Sequence, residues 1–281
     1  MKRIPCIILS FILILLLFPG CRRKAPAPET TTEEPTTILR DHNGDPIPVY
    51  DDVNPASLDP ALFVPDENGR MTYDDPDIKM YTGIDVSVFQ GDIDWEKVKA
   101  DGVDFVMLRA GCRGYGPSGA IYEDENFVKN CEAANEAGLK VGAYFFSQAI
   151  TVEEAEEEAA FMIEILKDRN ISFPVAFDWE SIYYDTARTD GLDNETITRC
   201  ALAFCNKIAE AGYIPIIYFS LNIGYFSYDL SELKDYHFWL AEYGEAPSFI
   251  YDYRIWQYTE KGTVDGIAGE VDLNISVTDF S

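Results

Sequence analysis

From residue 81 onward the sequence predicts an α/β fold: an irregular, TIM-like barrel of five βα units followed by three strands, (β/α)5(β)3. Three observations lead there. Short runs of branched and aromatic residues alternate with amphipathic stretches of helical period. After about residue 220 the helical stretches shrink and three strand-like runs follow in quick succession. The strand-like runs number eight, enough to close a sheet on itself.

Taken in order, GIDVS (83–87) is a short strand, and Asp94 can cap a helix over WEKVKADG. DFVMLRAGC (104–112) is a strand, and ENFVKNCEAANEAG is a helix closing on Gly138. LKVGAYFFS (139–147) is a strand. VEEAEEEAAFMIEILKDRN (152–170) is a long helix whose acidic first turn suits the helix dipole. FPVAFDWE (173–180) is a strand, NETITRCALAFCNKIAEAG (194–212) a helix and IPIIYFS (214–220) a strand. DLSELKDY is a short helix, and HFWLAEY, YRIWQYTE and EVDLNIS are the last three strands. Strands alternating with helices of this length imply parallel βα units.

Upstream lies different material. Lys2 and Arg3 precede an apolar run from Ile4 to Phe18, then Pro19-Gly20-Cys21. A basic start, an apolar stretch of about 15 residues and a small residue before the cut make an export signal over 1–20. The run is short for a spanning helix of about 20 residues. Cys21 after Gly20 looks like a bacterial lipoprotein site, although Phe18 stands where such signals usually have Leu. The expectation is a lipid on Cys21 and a protein held outside the cytoplasmic membrane, facing the cell wall. Residues 21–37, rich in Thr, Pro and Glu, read as a tether. Residues 38–80 read as an irregular lead-in that partly packs on the 81–281 barrel.

The formal charge is -27. Nucleic acid is excluded as a partner, because phosphate neutralisation needs clustered Lys and Arg. With two His, at 42 and 237, a histidine general base is not available to the barrel mouth. GCRGYGPSG (111–119) lacks phosphate-loop spacing. No cofactor or metal is called for, and the chain is expected to be a monomer. Cys112, Cys131, Cys200 and Cys205 read as small buried hydrophobes, with a disulfide still open in an exported chain.

In barrels of this kind the chemistry sits at the C-terminal strand ends. Polar residues fall there: Asp85 on the first strand, Arg109 on the second, Tyr144 and Ser147 on the third, Asp178 and Glu180 on the fourth, and Tyr218 and Ser220 on the fifth. Trp239, Glu242 and Tyr243 lie on the sixth, Gln257 on the seventh and Asp272 on the eighth. Asp178 and Glu180, at i and i+2, point to one side of a strand. Burying two carboxylates together is unfavourable unless something uses them. Paired carboxyls among aromatic walls suit glycoside hydrolysis: one is kept protonated as general acid, and the other stays charged beside the oxocarbenium-like transition state. Taken alone, Asp178 also fits a hydrogen-bond partner of Arg109, and Trp239 and Trp256 fit a core as well as a sugar platform.

GIDVSVFQGDIDW, FVMLRAGCRG, VGAYFF, PVAFDWE, IIYFS, WLAEY, IWQY and VDLN occur in this order. Together they resemble glycoside hydrolase family 25, over about 82–280. The resemblance implies a lysozyme that cleaves the β-1,4 bond between N-acetylmuramic acid and N-acetylglucosamine in peptidoglycan glycan strands. It implies Glu180 as proton donor, Asp178, Asp85 and Asp272 as active-site acids, and Tyr144 and Tyr218 near the sugar. It also implies a reaction that the substrate's 2-acetamido group can assist. Members of that family often carry an aromatic or His after GIDVS, and here Val88 and Phe89 stand before Gln90. Two other readings stand beside it: a peptidoglycan-binding surface lipoprotein without turnover, and a hydrolase of another N-acetylhexosamine polymer.

Overall fold

The structure is a computed structural model that describes residues 39–40 and 44–280. The expected signal over 1–20, Cys21 and the tether over 21–37 lie outside the described residues. The lead-in is more regular than expected. It holds an antiparallel hairpin of β1 (Phe63–Pro65) and β2 (Met71–Tyr73). Asp66 Oδ1 organises the turn by accepting from the Asn68 and Arg70 amides, and Gly69 takes φ 78°. The hairpin covers an apolar face: Phe63 meets the buried Trp256 edge-on, with ring centroids 4.8 Å apart. Upstream, the Tyr50 amide donates to the Tyr251 hydroxyl at 2.7 Å.

The barrel begins with β3 (Tyr81–Val86), followed by α1 (Trp95–Ala100), whose N-cap is Asp94. Next come β4 (Phe105–Arg113), the short β5 (Ile121–Glu123) and α2 (Phe127–Glu136). β6 (Lys140–Ser147), α3 (Val152–Leu166), β7 (Val175–Trp179), α4 (Asn194–Glu210) and β8 (Pro215–Ser220) follow. The last third holds α5 (Leu221–Phe226), α6 (Leu230–Leu233), β9 (His237–Ala241), β10 (Ile255–Gly262) and β11 (Val271–Ser276). Eight strands run in the order β3-β11-β10-β9-β8-β7-β6-β4, and the pairing of β3 with β4 closes them into a barrel. β5 lies outside, hairpinned onto β4.

Three local differences from expectation have plain causes. α3 stops at Leu166, four residues short of Asn170, because the polar tail leaves the helix and Asp168 takes φ 64°. α5 follows β8 without a break, so no turn signal marks its start. β5 is too short to show a period.

The larger difference is direction. Seven barrel strands are parallel, but β11 is antiparallel to both β10 and β3. Only residues 263–270 join β10 to β11. A parallel return needs a dozen residues or more, so the chain turns back as a hairpin. Asp272 therefore reaches the mouth from the start of its strand, not from a C-terminal strand end.

Two apolar layers hold the barrel. The large one lies between sheet and helices. The smaller fills the interior with Phe105, Met107, Phe173, Ile216 and Trp239. Gly83 and Gly142 make room for it: a Cβ at Gly83 would sit 2.1 Å from the Phe105 ring, and one at Gly142 2.5 Å from Met107 Sδ. Cys112, Cys131, Cys200 and Cys205 are free thiols, and all but Cys112 are buried.

Candidate active site

Strand register assembles the site. β3 and β11 place Asp85 directly opposite Asp272. β7 places Asp178 opposite Tyr218 of β8. Glu180 lies just beyond the end of β7, one step past the strand expected to carry it. All four carboxyls border one cavity of about 210 Å3 at the barrel mouth. Tyr144, Tyr218, Trp239, Tyr243, Gln257 and Arg109 line the same cavity, as do Phe146 and Glu260, which the sequence reading left out.

A polar floor holds Asp85. Its Oδ2 accepts from Asn274 Nδ2 at 2.7 Å and from Gln257 Nε2 at 2.8 Å. Gln257 Oε1 in turn accepts from the Tyr218 and Tyr243 hydroxyls, each at 3.1 Å. Asn274 Oδ1 accepts from Trp239 Nε1 at 2.8 Å, which makes that tryptophan a buried floor, not an exposed platform. Asn274 was missed, although it stands at i+2 from Asp272 on one strand and so shares its side.

Several strand-end residues serve elsewhere. Ser147 turns out of the barrel and donates to the buried Glu158 at 2.6 Å. Burial pushes Glu158 up to about 7, while bonds from Ser147 and Arg113 pull the other way. Glu242 accepts from Ser248 and borders a neighbouring cavity of about 520 Å3, which Ser220 and Glu180 also line. Trp256 belongs to the outer core, its Nε1 donating to the Glu242 carbonyl. Arg109 pairs with Asp124 at 2.8 Å, not with Asp178. Asp124 also accepts from the Val88 amide, tying the β3 loop to β4.

None of Asp85, Asp178, Glu180 and Asp272 has a cationic partner at ion-pair distance among the described residues, and the nearest guanidinium, on Arg109, is engaged by Asp124. Burial raises all four above the usual carboxylate range. For Asp178 the charges of Glu180 and Asp85 add to burial, and Arg109 opposes them. Asp178 Oδ1 is buried and has no hydrogen-bond partner among the described residues. Asp272 is pushed up to about 8 by burial and by the Asp85 charge. Burial raises Glu180, and the neighbouring Tyr218 hydroxyl opposes that rise. Like-charged, desolvated carboxyls of this kind keep a proton near neutral pH and can donate it to a leaving oxygen. Among the described residues, no group of three or more His, Cys, Asp or Glu is arranged to hold a metal ion.

Comparison with known proteins adds relatives to this geometry. A profile of the family described as Glycosyl hydrolases family 25 matches residues 84–267, more than half of the chain. The autolytic lysozyme of Clostridium acetobutylicum is 28% identical over 194 residues, which cover 68% of this chain and 54% of that protein. This chain thus spans about half the length of that relative. Lysozyme M1 of Streptomyces globisporus is 28% identical over 203 residues, covering 68% of this chain and 66% of that protein. The modular autolysin LytC of Streptococcus pneumoniae, solved in complex with a synthetic peptidoglycan ligand, superposes with a TM-score of 0.64 at 24% identity. That match covers 85% of this chain and 56% of that one, and it shows a shared fold.

Proposed function

This chain belongs to glycosyl hydrolase family 25, and from that membership we propose that it is a muramidase, cleaving the β-1,4 bond between N-acetylmuramic acid and N-acetylglucosamine in peptidoglycan. We read its chain order as the (β/α)5(β)3 form of the barrel. The observation that carries the proposal is four carboxyls around one mouth cavity, none of them in an ion pair among the described residues. A structural ion-pair network would have supplied partners. Glu180 borders both the acid-lined cavity and the adjoining one, where a leaving-group oxygen can reach it. It is the general acid. Asp178, with a free buried Oδ1, receives the substrate's 2-acetamido N–H and steadies the positive charge that forms as the bond breaks. Asp85 and Asp272 share one proton and hold the floor beneath the sugar. Tyr144 and Tyr218 stay neutral, because burial raises both phenols far above their usual range.

The cellular setting is part of the proposal. Cys21 carries a lipid after removal of residues 1–20, and the protein acts as a monomer on the wall outside the cytoplasmic membrane. The charge of -27 disfavours attraction to anionic wall polymers, which fits local remodelling by a tethered enzyme. Loss of radiolabelled palmitate incorporation in Cys21→Ser tests the anchor; unchanged labelling refutes it.

The activity is tested on purified peptidoglycan, with released ends reduced by borohydride and identified by mass spectrometry. Reduced muramic acid ends that vanish in Glu180→Gln support the reading. Reduced glucosamine ends overturn the bond assignment, and retained binding without fragments overturns turnover.

A further inference from the structure

The acid-lined cavity is not the largest at this end of the molecule. A third, of about 1340 Å3, adjoins it and shares Tyr243, which is 52% exposed and forms the wall between them. One side of the larger cavity is the β10–β11 connection. The other is the β1–β2 hairpin, through Asn68, Arg70 and Met71. That hairpin lies outside residues 84–267, the span that the family profile matches, and it belongs to the lead-in.

Its chemistry differs from that of a sugar platform. Arg70 is engaged by Asp101 and also donates to the Thr263 carbonyl at 3.3 Å. Lys261 is the remaining cation and stands 3.9 Å from Glu260. Glu245 and Glu270 face the cavity without a cationic partner among the described residues. The Tyr258 hydroxyl, buried in the same wall, finds no acceptor among the described residues; its polar neighbour is the Met71 amide. A desolvated O–H without an acceptor is unfavourable, and a ligand carbonyl relieves it. Unpaired carboxylates favour an ammonium group.

We infer that this cavity takes the peptide branch of the wall polymer, its carbonyl meeting Tyr258 and its free ammonium group meeting Glu245 and Glu270, while the glycan lies across the acids. The inference rests on the muramidase reading and deepens it: the lead-in hairpin makes cleavage depend on the peptide. Peptide amides need an elongated, polar, partly aromatic slot, and the shared Tyr243 puts the slot beside the sugar that bears the branch.

The test uses the full-length protein, a Glu245→Gln/Glu270→Gln double variant and Tyr258→Phe. Each is assayed on glycan strands that carry peptides and on the same strands stripped by an amidase. The expected result is a fall of about fivefold in kcat/KM on peptide-bearing strands with no change on stripped strands. An equal fall on both substrates, or no fall on either, overturns the peptide assignment. So does a fall on stripped strands that grows with their length, which would place glycan in the cavity. If the unmodified protein releases no reducing ends from either substrate, the muramidase reading fails and this inference with it.

Discussion

Asn274→Leu tests the floor of the site. Asn274 is fully buried and bridges two partners: its Nδ2 donates to Asp85 at 2.7 Å, and its Oδ1 accepts from Trp239 Nε1 at 2.8 Å. Leucine has a similar volume and makes neither bond. Losing a hydrogen bond to a charged acceptor removes about 1.5–3 kcal/mol. Leaving the Trp239 N–H buried without an acceptor adds about 1–3 kcal/mol. The expected destabilisation is therefore about 2.5–6 kcal/mol, read from the urea midpoint at constant m. A double-mutant cycle separates the two parts. In a Trp239→Phe background no indole N–H remains to be stranded, so Asn274→Leu should be milder by about 1–3 kcal/mol. A single-variant loss below about 1 kcal/mol would refute the reasoning, because the floor would then add nothing beyond an apolar filling. So would additive effects of the two substitutions.

Three further outcomes follow from the geometry. Asp272 titrates near 3.9 when unfolded and at about 8 when folded, so between those values the folded state holds more protons and rising pH destabilises it, by at most about 1.4 kcal/mol per pH unit; melting temperatures from pH 4.5 to 8 should fall less steeply in Asp272→Asn, and an unchanged slope counts against the shared proton. The Tyr218 hydroxyl lowers Glu180, so Tyr218→Phe should move the alkaline limb of the kcat/KM profile to higher pH; a shift to lower pH contradicts that contact. Gly142→Ala would place Cβ 2.6 Å from the Pro174 carbonyl, a backbone atom that cannot rotate away; the expected loss is about 3 kcal/mol, and a urea midpoint equal to that of the unsubstituted protein would contradict the close approach.

Much of the barrel is legible along the chain because its elements are local. A cap such as Asp94, a closing residue such as Gly138 and the period of a strand each involve neighbours in sequence. The acids are legible for a related reason: a carboxylate at the end of an apolar strand has no local use, so its presence points to a site. Asn274 escaped because an amide in a strand carries no such penalty when read alone. Asp178 taken alone also suited a hydrogen bond with Arg109, but Asp124, fifteen positions downstream, is the residue the β4–β5 hairpin brings to that arginine. Ser147 shows the same limit. Its strand position suited the mouth, but α3 presents Glu158 on the opposite side of the sheet and captures the hydroxyl.

By itself the sequence determined the succession of strands and helices, the eight strands of a barrel and the four carboxyls of its mouth, because periodicity, capping and the unfavourable burial of charge act over a few residues. Tertiary structure alone decided that β11 runs antiparallel and delivers Asp272 from its start against Asp85, that Asn274 and Gln257 make the floor, and that a hairpin from the lead-in walls a further cavity beside Tyr243. Those outcomes depend on pairings between residues up to 189 positions apart. Which partner wins there is settled by the closure of the whole sheet, a constraint that no local stretch of chain contains.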